Sequence, residues 1–274
     1  MTVGVIISTY NKPDFLKCTL DGYCRQTRLP NEVIIADDGS TEETCALINA
    51  YREKLPIKHV WHEDNGFKKT TILNKAILAS ESEYLIFTDQ DCIPREDFVE
   101  MHEKNAQQGY FLSGGYLKLT EKVSQRILDD NTITSSMFSI SFLISSGQRC
   151  SFKLTKLFRY KWYARLLNTI TPTKATWNGC NSSGWRKDMI AINGFNEDMR
   201  YGGEDREFGE RLWNLGIKSK QIRYSAIVIH LYHDRPYKTL EAIKKNDIIR
   251  KYTRIHKIVK TRNGIRKLDK EVSP

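Results

Sequence analysis

The chain has 274 residues, 40% hydrophobic and 28% charged, and a formal net charge of +10. That length holds one large domain or two small ones with a full core, in a composition typical of a soluble globule rather than a disordered or fibrous chain. No apolar run approaches the roughly 20 residues that cross a bilayer, since the best candidate, 137–144, is short and broken by serines. The opening residues carry neither a basic start nor a cleavage site, so the expected location is cytoplasmic. Six cysteines are scattered without a C-x-x-C pair, which argues against zinc and against a disulfide framework. The charge is uneven: residues 147–166 hold six Lys/Arg and no acid, and 240–274 hold eleven Lys/Arg against four Asp/Glu. Such blocks are solvated faces, or surfaces for an anionic membrane or nucleic acid.

In chain order, residues 3–8 form a β-branched run that reads as a buried strand ending in Thr9-Tyr10-Asn11. Pro13 opens a helix in which Phe15, Leu16, Leu20 and Tyr23 recur at helical spacing. A second strand, 32–36, leads into Asp37-Asp38-Gly39-Ser40 and a helix over 41–51. A third, 57–61, is followed by a polar loop, 62–69, and a helix carrying Ile72, Leu73, Ala76, Ile77 and Leu78. The fourth, Leu85-Ile86-Phe87, runs out of the core into Thr88-Asp89-Gln90-Asp91, and a helix follows over 98–107. Alternating strands and helices predict an α/β fold with a mostly parallel, doubly wound sheet.

Three of the four strands end in ligand-capable turns, which a parallel sheet places along its carboxyl edge, where α/β sheets bind ligands. Asp89 and Asp91 point the same way if the backbone stays extended, offering hard oxygens to Mg²⁺ or Mn²⁺ and so to a diphosphate. The alternative is a plain polar turn. Neither G-x-G-x-x-G nor G-x-x-x-x-G-K-[ST] follows the first strand, which disfavours dinucleotide dehydrogenases and P-loop NTPases.

Val5-Ile6-Ile7-Ser8-Thr9-Tyr10-Asn11, Ile34-Ile35-Ala36-Asp37-Asp38-Gly39-Ser40, Asn65-Gly66 followed by Asn74, and Phe87-Thr88-Asp89-Gln90-Asp91 resemble, in family order, the family 2 glycosyltransferases. These are inverting enzymes of GT-A fold, a Rossmann-like, doubly wound mixed sheet. The resemblance implies that Thr9, Tyr10, Asn11, Asp38, Asn74 and Asp89 contact the nucleotide of a UDP-sugar. It places Asn65 and Gly66 in a loop closing over that nucleotide. Asp91 would ligate a divalent cation, Mn²⁺ or Mg²⁺.

Leu154, Leu157, Tyr160, Trp162, Leu166 and Leu167 interleave with Lys153, Lys156, Arg159, Lys161 and Arg165. This predicts a basic helix that lies on a membrane surface or grips a lipid-linked acceptor, or else packs its apolar side on the catalytic domain. The stretch from Trp177 through Asn178, Gly179 and Asn181 to Trp185 reads as a saccharide wall, glycine permitting close approach and tryptophan stacking on sugar; either Trp reads equally as core. The resembling enzymes place a Gly-x-Asn segment here, close to the donor sugar.

Phe208, Leu212 and Leu215 form one helical face that Gly216 can stop, so Glu204 and Asp205 fall in the first turn. The helix macrodipole alone favours acids there. Against that reading, Gly202-Gly203 would leave open space beside the carboxylates. The Gly-Gly-Glu-Asp segment is similar to one in β-1,4-galactosyltransferases and chondroitin- and hyaluronan-type polymerases. That likeness implies Asp205 as general base, Glu204 as partner of the acceptor sugar, and Gly203 beside them. It also implies that His233, with His230, completes the coordination begun by Asp91 after a strand at 227–229.

The expected organisation is a nucleotide-sugar half, 1–115, and an acceptor half, 116–235, of one domain, then a basic helical extension, 236–274. The expected function is a metal-dependent transfer of a hexosyl group from a UDP-sugar to a saccharide or lipid-linked saccharide, in bacterial surface polysaccharide or lipopolysaccharide synthesis, with peripheral membrane contact and no nucleic-acid partner. A nucleotidyltransferase would need a Gly-rich, Lys/Arg-bearing loop after the first strand, which is missing. A nucleic-acid binder driven by the basic tail leaves Glu204 and Asp205 without a purpose.

Overall fold

The structure, a computed structural model, describes residues 1–130, 132–234 and 238–268. The expected boundary at 235/236 and the end of the extension, 269–274, lie outside the described residues. The first half runs β1 (Val3–Thr9), α1 (Pro13–Cys24), β2 (Glu32–Asp37), α2 (Glu42–Ala50), β3 (Ile57–Trp61), α3 (Lys69–Ala79), β4 (Tyr84–Asp89), β5 (Cys92–Pro94), α4 (Phe98–Asn105), β6 (Tyr110–Ser113) and β7 (Gly115–Lys118). The second half runs α5 (Glu121–Asp130), α6 (Ile140–Ser145), α7 (Lys161–Ile170), β8 (Ser182–Trp185), α8 (Arg186–Ala191), α9 (Glu204–Asn214), β9 (Lys218–Gln221), β10 (Ile227–His230) and α10 (Leu240–Ile255).

Alternation along β1 explains why helices cover both faces of the sheet. Val5 and Ile7 pack on α1 through Leu16 and Leu20, while Ile6 faces Ile72 and Ile77 of α3. Each such side chain taken fully out of water contributes about 1.5–3 kcal/mol. The seven-stranded sheet has the order β3-β2-β1-β4-β8-β6-β9. Strands β3, β2, β1 and β4 are mutually parallel, and β8 runs antiparallel to β4 and β6. The mixed, doubly wound sheet matches the expected GT-A fold.

Register aligns the chemistry. Thr9 pairs with Asp37 and Ser8 with Asp89, so three polar turns end at one edge. A second sheet, β5-β10-β7, stands beside it, and its antiparallel β5–β10 pair sets His230 opposite Cys92. The residues after Asp91 are therefore a strand rather than only a turn.

Two expectations change here. The basic helix across 154–167 is broken: a 3₁₀ turn covers Phe152–Leu157 and α7 begins only at Lys161. In the C-terminal extension, α10 packs along α9 and spends part of its charge internally, since Arg250 and Arg254 both meet Glu210.

Candidate active site

The turns after β1, β2 and β4 and the starts of α3 and α9 line one cavity of about 640 Å³, together with residues 178–180 and the segment after β10. Of the residues singled out in the sequence, Thr9, Tyr10, Asn11, Asp38, Gly66, Asp89, Asp91, Asn178, Gly179, Glu204, Asp205, His230 and His233 share this wall.

The β1 turn is held by Gln90, the middle residue of Asp-Gln-Asp. Its Oε1 accepts from the Thr9 hydroxyl and from the Tyr10 N–H at 3.2 Å, and its Nε2 donates to the Tyr10 carbonyl at 3.1 Å. Asn11 bridges to the β2 turn, donating its N–H to Ser40 Oγ at 2.8 Å and accepting from the Thr41 N–H at 3.1 Å. Asp37 faces inward, on His59 and the Ser40 N–H, whereas Asp38 lines the cavity with its oxygens on His62 Nε2 (2.7 Å) and the Lys68 N–H (3.0 Å). Burial raises the Asp38 pKa, and His62 opposes the shift.

Asp91 sits among nitrogen donors. His233 Nε2 lies 2.8 Å from its Oδ2 and His230 Nε2 3.8 Å from its Oδ1. Each ring points its other nitrogen at a backbone carbonyl, His230 Nδ1 at Leu231 O (2.7 Å) and His233 Nδ1 at Asp234 O (2.9 Å). A carbonyl only accepts, so Nδ1 carries the proton in both rings and Nε2 is the nitrogen turned to Asp91. A carbonyl behind a histidine that fixes Nε2 forward is a common outer support of metal ligands. Burial alone would raise Asp91, but the His233 hydrogen bond and the charges of both histidines prevail and lower it to about 2. Asp91, Cys92 and His230 place ligand atoms within 4.8 Å of one another. Burial pushes the Cys92 thiol well up, so it stays protonated and donates to Asp91 Oδ1 at 3.2 Å. A carboxylate and two imidazoles fit Mn²⁺, and less closely Mg²⁺, better than a thiolate-seeking metal.

Across the cavity, Asp205 is the second residue of α9. Burial, then the adjacent Glu204, raises its pKa to about 7; Lys69 opposes the rise. Its Oδ1 is buried without a hydrogen-bond partner. Glu204 is also raised, chiefly by burial, while its Oε2 accepts from the Gly202 N–H at 2.7 Å. A buried ion pair within the helix, Arg211 Nε to Glu207 Oε1 at 2.8 Å, locks α9 to the body because Arg211 also donates to the Ile192 carbonyl. Gly179 belongs here for want of a side chain: a Cβ would stand 2.6 Å from Asp205 Oδ2.

Lys69 escaped the sequence reading. Its Nζ donates to Asp89 Oδ1 at 2.6 Å, and although burial works against its charge, Asp89, Asp205 and Glu204 hold it protonated. One signal was present: Lys68 and Lys69 open α3 with no acid in its first turn, against the macrodipole.

Four expected contacts are corrected. Trp177 is completely buried between Phe87, Phe111 and Phe208, where no sugar reaches it. Asn181 is also fully buried and donates to the Gly115 and Ala226 carbonyls, joining the two sheets. Asn74 turns inward to the Phe195 carbonyl and Glu197, tying α3 to the 195–197 segment. Asn65 is exposed beside Gly66, which lines the cavity, so its expected place in a closing loop is neither met nor contradicted here. Gly203 and Gly202, at φ 104° and 109°, leave no open space for an acceptor. Their missing side chains make room for α10, since a Cβ would meet Arg250 Cδ at 3.0 Å and Ile243 Cγ1 at 3.1 Å respectively.

The family model for glycosyl transferase family 2 matches residues 4–160, and that for the N-terminal domain of galactosyltransferase matches 169–234. A hyaluronan synthase of Pasteurella multocida is 25% identical over 242 residues, covering 85% of this chain and 24% of its own. A chondroitin synthase of Escherichia coli is 27% identical over 246 residues, covering 85% of this chain and 35% of its own. The chain thus spans about a quarter to a third of these relatives. Among solved structures, residues 1–349 of S. aureus TarS in complex with UDP-GlcNAc superpose with a TM-score of 0.62 at 17% identity, covering 94% of this chain and 70% of that one.

Proposed function

The chain belongs to glycosyl transferase family 2, and from that premise we propose a metal-assisted, inverting transfer of one sugar from a UDP-sugar to a saccharide hydroxyl. The observation that carries this reading is that Asp38, Asp89, the Asp91–His230–His233 group and Asp205 line one cavity. The complex of TarS with UDP-GlcNAc supports uridine as the nucleoside. The names of the two synthases support an acceptor in polysaccharide synthesis, of which lipopolysaccharide is one form.

Asp38 and the Thr9–Asn11 turn hold the nucleoside at the ends of β2 and β1. Asp91, His230 and His233 would hold a divalent cation, which would supply electrostatic stabilisation of the charge on the departing diphosphate. Lys69 pins Asp89 and adds positive charge to a cavity otherwise rich in carboxylates. Asp205 takes the acceptor proton on its unpartnered Oδ1, the acceptor oxygen bonds to the anomeric carbon, and the bond from that carbon to the diphosphate oxygen breaks, releasing UDP. Glu204 orients the acceptor sugar.

A nucleotide-sugar panel scored for UDP or GDP release with Mn²⁺, Mg²⁺ or EDTA tests the reading on wild type and Asp91→Ala. Metal-dependent turnover of a UDP-sugar that the substitution abolishes is expected. Failure to bind UDP with metal present, measured by calorimetry on the same samples, overturns it.

A further inference from the structure

Helix α7 packs with the wrong face for a buried amphipathic helix. Trp162, Leu166 and Ile170 recur four residues apart and are 69%, 49% and 61% exposed. Successive members lie about 40° apart around the axis, and positions 164 and 168 fall on the opposite side. Those two anchor the helix. Ala164 is buried, and Asn168 donates to Ser225 Oγ at 2.9 Å and accepts from the Tyr224 N–H at 2.8 Å. Of the apolar residues expected to pack on the domain, Leu154 and Leu157 in the preceding 3₁₀ turn do so, whereas Trp162 and Leu166 of α7 do not. The patch continues through ring contacts of Trp162 with Tyr163, Tyr163 with Phe158, and Phe158 with Tyr160.

Charge identifies what covers this face. Residues 147–166 carry six cations and no acid. Arg159 pairs with Glu96 and Lys156 is held by the Tyr116 carbonyl at 2.9 Å, whereas Arg149, Lys153, Lys161 and Arg165 are exposed and make no ion pair among the described residues. Tryptophan and tyrosine settle at headgroup depth, aliphatic side chains reach the acyl boundary, and lysine and arginine meet lipid phosphates. Among the described residues no helix is long and apolar enough to cross a membrane, so the contact is interfacial. The patch also borders the cleft, because Tyr116, which Lys156 grips, lines the catalytic cavity.

We infer that the face built from residues 152–170 docks on an anionic bilayer surface. This stands independently of the sugar-transfer reading, though it would present a lipid-borne acceptor at the cleft. Co-sedimentation with vesicles of phosphatidylcholine, with and without one-third phosphatidylglycerol, tests it. Wild type should partition onto the anionic vesicles at least about tenfold more strongly than onto the neutral ones. Trp162→Ser/Leu166→Ser/Ile170→Ser should lose about tenfold or more of that binding, and Lys153→Gln/Lys161→Gln/Arg165→Gln should lose the preference for anionic lipid. UDP calorimetry on every protein confirms intact folding and reports separately on the transferase. Equal sedimentation of wild type and the apolar triple variant overturns the inference. So does a dimer, seen by light scattering, that the same substitutions dissolve while vesicle binding is unchanged; the face would then join two copies.

Discussion

His233 Nε2 stands 2.8 Å from Asp91 Oδ2, with its own Nδ1 committed to the Asp234 carbonyl. The imidazole thus stands against the carboxylate where a cation would sit, and metal binding has to part the two. His233→Ala should raise the Mn²⁺ dissociation constant by about 10–100-fold in calorimetry, with UDP-sugar turnover restored in part by excess metal.

Asp205, raised to about 7, must be ionised to act as a base. The kcat/KM of wild type should rise with pH to a plateau whose midpoint lies near 7, and Asp205→Asn should lower turnover by about 10²–10⁴-fold while leaving UDP binding intact. Parallel loss of both would make Asp205 structural.

The same shift acts on stability. In the unfolded chain the carboxyl titrates at about 4, well below its folded value of about 7. Below both values each state holds the proton and nothing is lost. Between them the unfolded chain ionises first and stability falls; above them the cost is constant, on the order of a few kcal/mol. Asp205→Asn should thus stabilise the protein in urea unfolding above neutral pH and change little at about pH 4.

Lys69 lowers the Asp205 pKa through its charge. Lys69→Met should move the activity midpoint to higher pH and reduce turnover at neutral pH. An unmoved pH profile with reduced turnover would confine Lys69 to holding Asp89 in place.

Trp177 is a packing residue. Trp177→Ala should cost about 3–5 kcal/mol of stability, read as a fall in Tm. Trp177→Phe should keep the wild-type preference among nucleotide sugars. A change of preferred donor without loss of stability would return Trp177 to the sugar site.

Much of the first half was legible because its information is local. Val3 to Ser8 and Leu85 to Phe87 read as strands from β-branched and apolar runs, and a parallel sheet sends the turns after them to one edge whatever the remaining chain does. Asp38, Asp89, Asp91, Glu204 and Asp205 were found that way or through family motifs. Only the tertiary structure decided which residues meet. No local pattern pairs His230 with Cys92 across sequence, buries Trp177 while leaving Trp162 in water, or brings Lys69 to Asp89; those follow from β5 pairing with β10, Phe208 packing behind the sheet and α3 pointing its first turn into the cleft. Periodicity identifies an apolar side of a segment, but whether protein covers that side depends on long-range packing, and in α7 it leaves the apolar stripe outside.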